Sequence, residues 1–310
     1  MSGLAQYIAR RLGVSLISLL GVSVIVVALV QMLPGDPARV IAGLQASQQE
    51  VERLRSALEL DQPVLVQYWV FLTRLLQGNL GESARTGQPV LEEIMIRLPA
   101  TITLALAGTL IGSVAGVFTG VVASVKRSSK LDYALSFASV LGVSIPVYWL
   151  GMMLIIIFAV NLKMLPASGA DDPTGIILPA LTLGAFSMAL VARMTRGSML
   201  EVLDQDYIRT ARAKGVRERV VIFKHALRNA FIPVLTVIGL QFGSLLGGAV
   251  LTESVFGWPG IGRLLVDSIF SRDFPLVQGV VMMYAVLLVV VNLAVDVLYT
   301  WVDPRIRYYG

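Results

Sequence analysis

Stretches of about twenty residues carrying few or no charges recur along the chain, each long enough for an α-helix to cross the ~30 Å hydrocarbon core of a bilayer. They fall at 12–33, 99–125, 133–160, 178–199, 231–253 and 277–302. In hydrocarbon every backbone N–H and C=O must be satisfied within its own segment, which leaves helices as the form open to stretches of this length. The expected fold class is therefore an all-α integral membrane protein with six transmembrane helices. A composition of 56% hydrophobic and 15% charged residues agrees, since a soluble domain carries about 25% charged residues. The first stretch follows Arg10 and Arg11 and runs from Leu12 to Leu33. That exceeds the ~7–15 residues of a secretory h-region, so it is read as a retained span.

The basic residues set the orientation. Six crossings put Arg10 and Arg11, then Lys126, Arg127 and Lys130, then the run from Arg193 to Arg228, and finally Arg305 and Arg307 on one side. By the positive-inside rule this side is the cytoplasm, with both termini on it. Arg39, Arg53, Arg55, Arg74, Arg85 and Arg97 fall in one long external segment, where charge counts little. The net charge of +5 is thus explained by topology and needs no nucleic-acid partner. The expected organisation is 1–33 for the N-terminus and first span, 34–98 for the external segment, and 99–302 for the membrane core. That core contains the cytoplasmic loop 200–230, and 303–310 forms a cytoplasmic tail.

The absence of cysteine excludes disulfides, thiolate chemistry and Cys-ligated metal, and the single histidine, His225, excludes a His-rich metal site. A membrane-embedded enzyme needs convergent polar groups inside the spans. Gln241, Asn292 and Asp296 form no acid–base pair or metal cluster, and no relay of membrane acids and histidines suggests an ion-coupled pump. Pro146 interrupts the third span and frees a carbonyl that needs another partner.

Gly108, Gly112, Gly116 and Gly120 stand four apart in the second span, and Gly239, Gly243 and Gly247 repeat the pattern in the fifth, with Ser244 and Gly248 beside them. Such faces let another helix approach closely, either as static packing or as a surface lining a path. In the external segment Ser47-Gln-Gln-Glu50 has capping-box spacing, with Val51, Leu54 and Leu58 following at helical intervals. Tyr68, Trp69 and Phe71 suit a headgroup-level surface.

Between the fourth and fifth spans lies Asp204-Gln-Asp-Tyr-Ile-Arg-Thr-Ala-Arg-Ala-Lys-Gly215, followed by Val216-Arg-Glu-Arg-Val-Val-Ile-Phe-Lys-His-Ala-Leu-Arg-Asn-Ala230. This reads as two short helices broken at Gly215, the first capped by Asp204 or Asp206 and stopped by the glycine in a left-handed conformation. Thr210, Ala211 and Ala213 keep the first helix shallow, with Tyr207 and Ile208 as anchors. Val220, Val221, Phe223 and Leu227 give the second an apolar face. From these residues alone, docking into another protein and resting on anionic lipid stand as equal alternatives.

This loop resembles that of the permease subunits of ATP-binding-cassette (ABC) importers, in the dipeptide, oligopeptide and glutathione branch. The family motif Glu-Ala-Ala, three residues, Gly corresponds here to Thr210-Ala211-Arg212 and Gly215, lacking the glutamate and second alanine. Peptide-branch permeases look like Asp-Tyr-Ile-Arg-Thr-Ala-Arg-Ala-Lys-Gly at this place. Met32-Leu-Pro-Gly-Asp-Pro37, Gly81-Glu-Ser83, Arg97-Leu-Pro-Ala-Thr101, Ile177-Leu-Pro179, His225-Ala-Leu-Arg-Asn229, Phe256-Gly-Trp-Pro-Gly260 and Asp303-Pro-Arg305 resemble further landmarks in the same order. The resemblance implies an inner-membrane permease subunit that is not itself an enzyme. ATP and Mg would be bound by partner ATPase subunits, with a second similar permease subunit alongside and an extracytoplasmic substrate-binding protein above. It implies that Tyr207, Ile208, Thr210, Ala211, Arg212 and Gly215 form a coupling helix docking into the ATPase. The implied cargo is a short peptide, with glutathione or a nickel chelate as the alternative. A receptor or channel acting alone would differ in bringing down no ATPase on purification.

Overall fold

The computed structural model describes residues 2–32, 37–43, 46–57 and 60–302. Leu58, the middle of the Met32–Pro37 landmark, the Asp303-Pro-Arg305 landmark, Arg307 and the tail 303–310 lie outside the described residues. The described helices are α1 (Ser2–Met32), α2 (Pro37–Ala42), α3 (Gln48–Ala57), α4 (Val64–Leu76), α5 (Val90–Val125), α6 (Lys130–Ser144), α7 (Val147–Asn161), α8 (Pro173–Leu203), α9 (Asp206–Ala213), α10 (Glu218–Phe256), α11 (Ile261–Ser271) and α12 (Phe274–Val302). An all-α fold results, with one isolated bridge, Glu82 to Pro89, among the described residues.

Five helices, α1, α5, α8, α10 and α12, are long and apolar enough to cross a membrane. The expected span 133–160, interrupted at Pro146, is a sharply bent pair: α6 and α7 meet at 104°. Pro146 is the cause, because its ring excludes the α-conformation at the preceding residue, and Ile145 accordingly sits at φ −78°, ψ 125°. Fifteen residues per half, at 1.5 Å each, reach only about 22 Å, so neither half crosses alone. Counted as one broken span, the pair brings the total to six.

The chain divides into two compact units, Met1–Ala100 with Pro259–Val290, and Thr101–Trp258 with Val291–Gly310. In the first, the capping box forms as spaced: Ser47 donates from its backbone N (2.8 Å) and Oγ (2.9 Å) to Glu50, whose own N–H returns to Ser47 Oγ at 3.3 Å. The Ser47 backbone N–H and hydroxyl hold the Glu50 carboxyl below the usual carboxylate range. Val51 on α3 is buried as the periodicity expects. Ser23 of α1 and Tyr68 of α4 share a hydrogen bond of 3.0 Å. The Gly81-Glu-Ser83 turn closes on Asp273, just ahead of α12. Ser83 Oγ donates to its carboxylate at 2.5 Å, the N–H groups of Ala84 and Arg85 at 3.1 and 3.3 Å, and the Leu276 N–H at 3.3 Å. A carboxylate 1% exposed is thereby surrounded by donors, the condition under which a buried charge is tolerated.

The second unit is organised around α8, which has the largest buried share of the five long apolar helices. The four glycines of α5 lie along it in register. A Cβ built on Gly108 would meet Leu183 Cβ at 2.9 Å, on Gly112 the Gly184 carbonyl at 2.6 Å, on Gly116 the Met188 carbonyl at 2.8 Å, and on Gly120 Thr195 Cβ at 2.5 Å. The helices thus touch backbone to backbone over three turns. Around this seam, Gly151 of α7 faces the Phe256 ring, Gly239 of α10 faces Val295 of α12, and Thr101 Oγ1 donates to the fully buried Glu253 at 2.6 Å.

Replacement of Gly120 by valine should force α5 and α8 apart, because the obstructing atoms include the Ala192 carbonyl and cannot rotate away. A loss of about 1–3 kcal/mol or more is expected, the usual cost of overpacking. Thermal unfolding of the purified chain in detergent checks it, with Gly197→Val on the open side of α8 as the control, since nothing lies within 4 Å of Gly197.

Candidate functional site

The loop between α8 and α10 carries one short, sharply bounded helix. α8 ends at Leu203 and α9 begins at Asp206. The N-cap position is Gln205, in extended conformation, with no side-chain cap bond; the expectation of Asp204 or Asp206 there is corrected. Asp206 instead occupies the first turn, where its charge meets the positive end of the helix dipole, and Asp204 pairs at 3.1 Å with Arg127 from the loop after α5. Gly215 takes φ +74° and stops the helix, its N–H donating to the Arg212 carbonyl at 2.9 Å. The second expected short helix is not separate. From Glu218 it runs through a π-helical stretch, Val221–Ala226, into the long α10.

Amphipathicity divides the α9 residues. Ile208 is 0% exposed and packs with Val121 of α5, Met199 of α8 and Val221, Ala226 and Ala230 of α10, with Ala211 partly buried beside it. Ile208 therefore anchors the helix to its own chain, not outward as its expected role required. Phe223 and Val220 likewise stay exposed, whereas Val221 and Leu227 pack as expected. The outward side presents Tyr207, Arg209, Thr210 and Lys214. Tyr207 Oη accepts from Asn229 Nδ2 at 3.1 Å, and Asn229 also bonds the His225 carbonyl, so the helix is tied to the first turns of α10. Arg212 reaches across the turn to Glu218 through two hydrogen bonds, Nε to Oε2 at 3.2 Å and Nη2 to Oε1 at 2.8 Å. The Glu218 carboxylate raises the pKa of the Arg212 guanidinium above its ordinary value.

A second constellation escaped sequence reasoning. Arg196 of α8 grips Asp132 of α6 with both edges of its fork, Nε to Oδ1 at 2.6 Å and Nη2 to Oδ2 at 2.8 Å, while the Ser128 N–H and Ser136 Oγ complete the carboxylate's shell. The Asp132 side chain is 2% exposed and that of Arg196 33%. Sequence offered only the Ser129-x-x-Asp132 spacing, which marks the start of α6 and says nothing of a partner 64 positions on. Beside the pair, α5, α6 and α8 line an open pocket of about 470 Å³ bordered by Gly120, Ser136, Ser139, Arg193 and Arg196.

The remaining candidates scatter. Gly108 to Gly120 form the α5–α8 seam. Gly243 and Gln241 are buried in α10, with Gln241 Nε2 lacking a partner among the described residues, whereas Gly247 is exposed with nothing within 4 Å. Asn292 is exposed and Asp296 half-buried.

Residues 108–308 match the family described as binding-protein-dependent transport system inner membrane component, and residues 4–105 match its N-terminal membrane component. The chain is 44% identical over 330 residues to the dipeptide transport system permease protein DppB of Alkalihalophilus pseudofirmus, covering 97% of this chain and 99% of that protein. It is 47% identical over 303 residues to the glutathione transport system permease protein GsiC of Salmonella choleraesuis, covering 98% and 99%. Among solved structures, an inward-facing form of the MetNI methionine ABC transporter superposes with a TM-score of 0.57 at 19% identity, covering 69% of this chain and 97% of that one. An amino acid ABC transporter gives 0.54 at 17%, over 68% and 94%. At such identities these two show a shared fold.

Arg196→Ala should destabilise by about 3–5 kcal/mol, since it strands the buried Asp132 carboxylate, whereas Asp132→Ala should cost less because a third of the Arg196 side chain stays exposed. Melting of Asp132→Ala, Arg196→Ala and the double variant tests this, the double falling well short of the summed losses.

Proposed function

The chain belongs to the family of binding-protein-dependent transport system inner membrane components, and on that premise we propose that it is the permease subunit of an ATP-driven importer of short peptides, forming half of a translocation path. The observation that carries the ATP-driven part is α9. It is an eight-residue helix held between two long apolar helices, with its inner face locked into the bundle and its outer face exposed among the described residues. The cargo rests on the substrates named for the full-length relatives, dipeptide and glutathione, both built on peptide or peptide-like bonds.

On this reading both termini and α9 face the cytoplasm, in accord with the basic residues of the α5–α6 and α8–α10 loops. A second, similar permease subunit completes the path, two ATPase subunits sit below, and a substrate-binding protein delivers peptide from the other side. ATP and Mg bind the ATPases; this sequence contains no Gly-x-x-x-x-Gly-Lys-[Ser/Thr] phosphate loop. Tyr207, Arg209 and Thr210 make the docking contact, Ile208 and Ala211 support it from behind, and Arg212 and Gly215 fix its exit. Movement of the ATPases displaces α9 and, through it, α8 and α10, giving alternating access by rocking of packed helices.

Gly215→Val should uncouple ATP hydrolysis from uptake, because a β-branched residue at φ +74° strains the stop by roughly 1–2 kcal/mol even though no atom lies within 4 Å. Gly215→Asn, which tolerates this conformation, should retain coupling. Substrate-stimulated hydrolysis and uptake measured together in proteoliposomes would overturn the assignment if the valine variant kept both. Uptake of labelled dipeptide, longer peptide and glutathione by the complete assembly tests the cargo, with dipeptide expected to accumulate fastest.

A further inference from the structure

Two arginines one turn apart on α8 are placed differently. Arg196 is spent on Asp132, whereas Arg193 is exposed and has no hydrogen-bond or ion-pair partner among the described residues. An unpaired cation on a membrane span is costly and calls for an anion or for water.

Arg193 borders the pocket between α5, α6 and α8. α6 and α8 run antiparallel there: Asp132 meets Arg196 next to the α5–α6 loop, and at the other end a Cβ built on Gly142 would lie 3.3 Å from that of Ala189. The lining follows α6 from Leu135 to Ser144, roughly 14 Å at 1.5 Å per residue. The hydroxyls of Ser136, Ser139 and Ser144 donate to the Asp132 carboxylate at 3.4 Å and to the Leu135 and Val140 carbonyls at 2.9 and 3.0 Å. No acidic residue lines the pocket, so the charge of Arg193 stays uncompensated. On α5 the lining residues Thr119 and Ala123 are followed, one turn nearer the loop, by Lys126, whose N–H still donates to the Val122 carbonyl at 3.0 Å. Its ammonium is likewise unpaired among the described residues.

Away from the loop the lining is apolar, with Val140, Val143 and Ala189. Val140 also belongs to the outer face that α6 presents with Tyr133 and Phe137, so the pocket opens onto an apolar surface. Cations at the loop end and an apolar groove running from them match a ligand with an anionic head and a hydrocarbon tail. A peptide fits less well, because its ammonium group would find no carboxylate there. Basic pockets between spans are suited to anionic headgroups.

We propose that this pocket is a site for an anionic phospholipid of the leaflet that the α5–α6 loop faces. Arg193 holds its phosphate, Lys126 adds charge one turn nearer the loop, and an acyl chain lies along Val140 and Val143.

The complete assembly would be reconstituted in phosphatidylcholine vesicles containing a trace of phosphatidylglycerol with a photoreactive diazirine in one acyl chain. A parallel sample would carry the diazirine on phosphatidylcholine, and adducts would be mapped by peptide mass spectrometry. Adducts within 135–144 and 189–193 are expected to be about fivefold stronger from phosphatidylglycerol, the worth of one cation beside anionic lipid. Arg193→Gln should remove that preference and Arg193→Lys should keep most of it, while Lys224→Gln, outside the pocket, should leave it unchanged. Equal labelling by both lipids would overturn the proposal in favour of apolar filling without headgroup recognition. No labelling by either would overturn it in favour of a protein cover, and loss of labelling on addition of unlabelled dipeptide would do so in favour of the cargo path. The two lipids are compared on the unaltered chain, so the outcome is decided whether or not the variants assemble.

Discussion

The second unit depends on the bare backbone of one face of α5. Four glycines spaced one per turn let α8 approach until carbonyls and α-carbons touch, and α8 then serves as the post against which α6, α7 and α10 are set. In a membrane, lipid is as apolar as any leucine, so helices gain little by hiding hydrophobic surface from it. Close packing of backbone atoms supplies the attraction instead. The bidentate Asp132–Arg196 pair adds a polar clamp between α6 and the same post.

The loop after α8 is seated directly on that arrangement. Ile208 inserts among residues of α5, α8 and α10, so α9 cannot shift without disturbing all three. Tyr207 with Asn229, and Arg212 with Glu218, fasten it to α10 by groups that remain partly solvated. The outer face is therefore left out of the packing that fixes the inner one.

Much of this was legible in the sequence where a local rule decided it. The Ser47–Glu50 box, the glycine register of α5 and the left-handed Gly215 each follow from backbone geometry over a few residues. What escaped was decided over distance or by face. The inward turn of Ile208 depends on which side of α9 meets α5, a question that eight residues with anchors at adjacent positions leave open. The Asp132–Arg196 pair joins two elements far apart in sequence, and of its members only Arg196 was read at all, as part of a topology signal. Pro146 was visible as an interruption, but a bend of 104° needs Ile145 to become extended, beyond the loss of one hydrogen bond. The solvent-facing Phe223 belongs to a helix that continues into α10, so its azimuth is inherited from a thirty-nine-residue rod.

The junctions on either side of α9 are unequal. Only Asp204 and Gln205 separate it from α8, leaving about four soft backbone torsions, two per residue, between one helix and the next. Lys214 to Arg217 separate it from α10, twice the chain length, but the Arg212–Glu218 pair bridges that gap outside the backbone. Both junctions carry an exposed ion pair, Asp204 with Arg127 on the short side and Arg212 with Glu218 on the long one, but only the second spans the gap from α9 to its neighbouring helix. Ionic strength should therefore add more mechanical slack on the longer side, where the two-residue limit on free torsions does not apply.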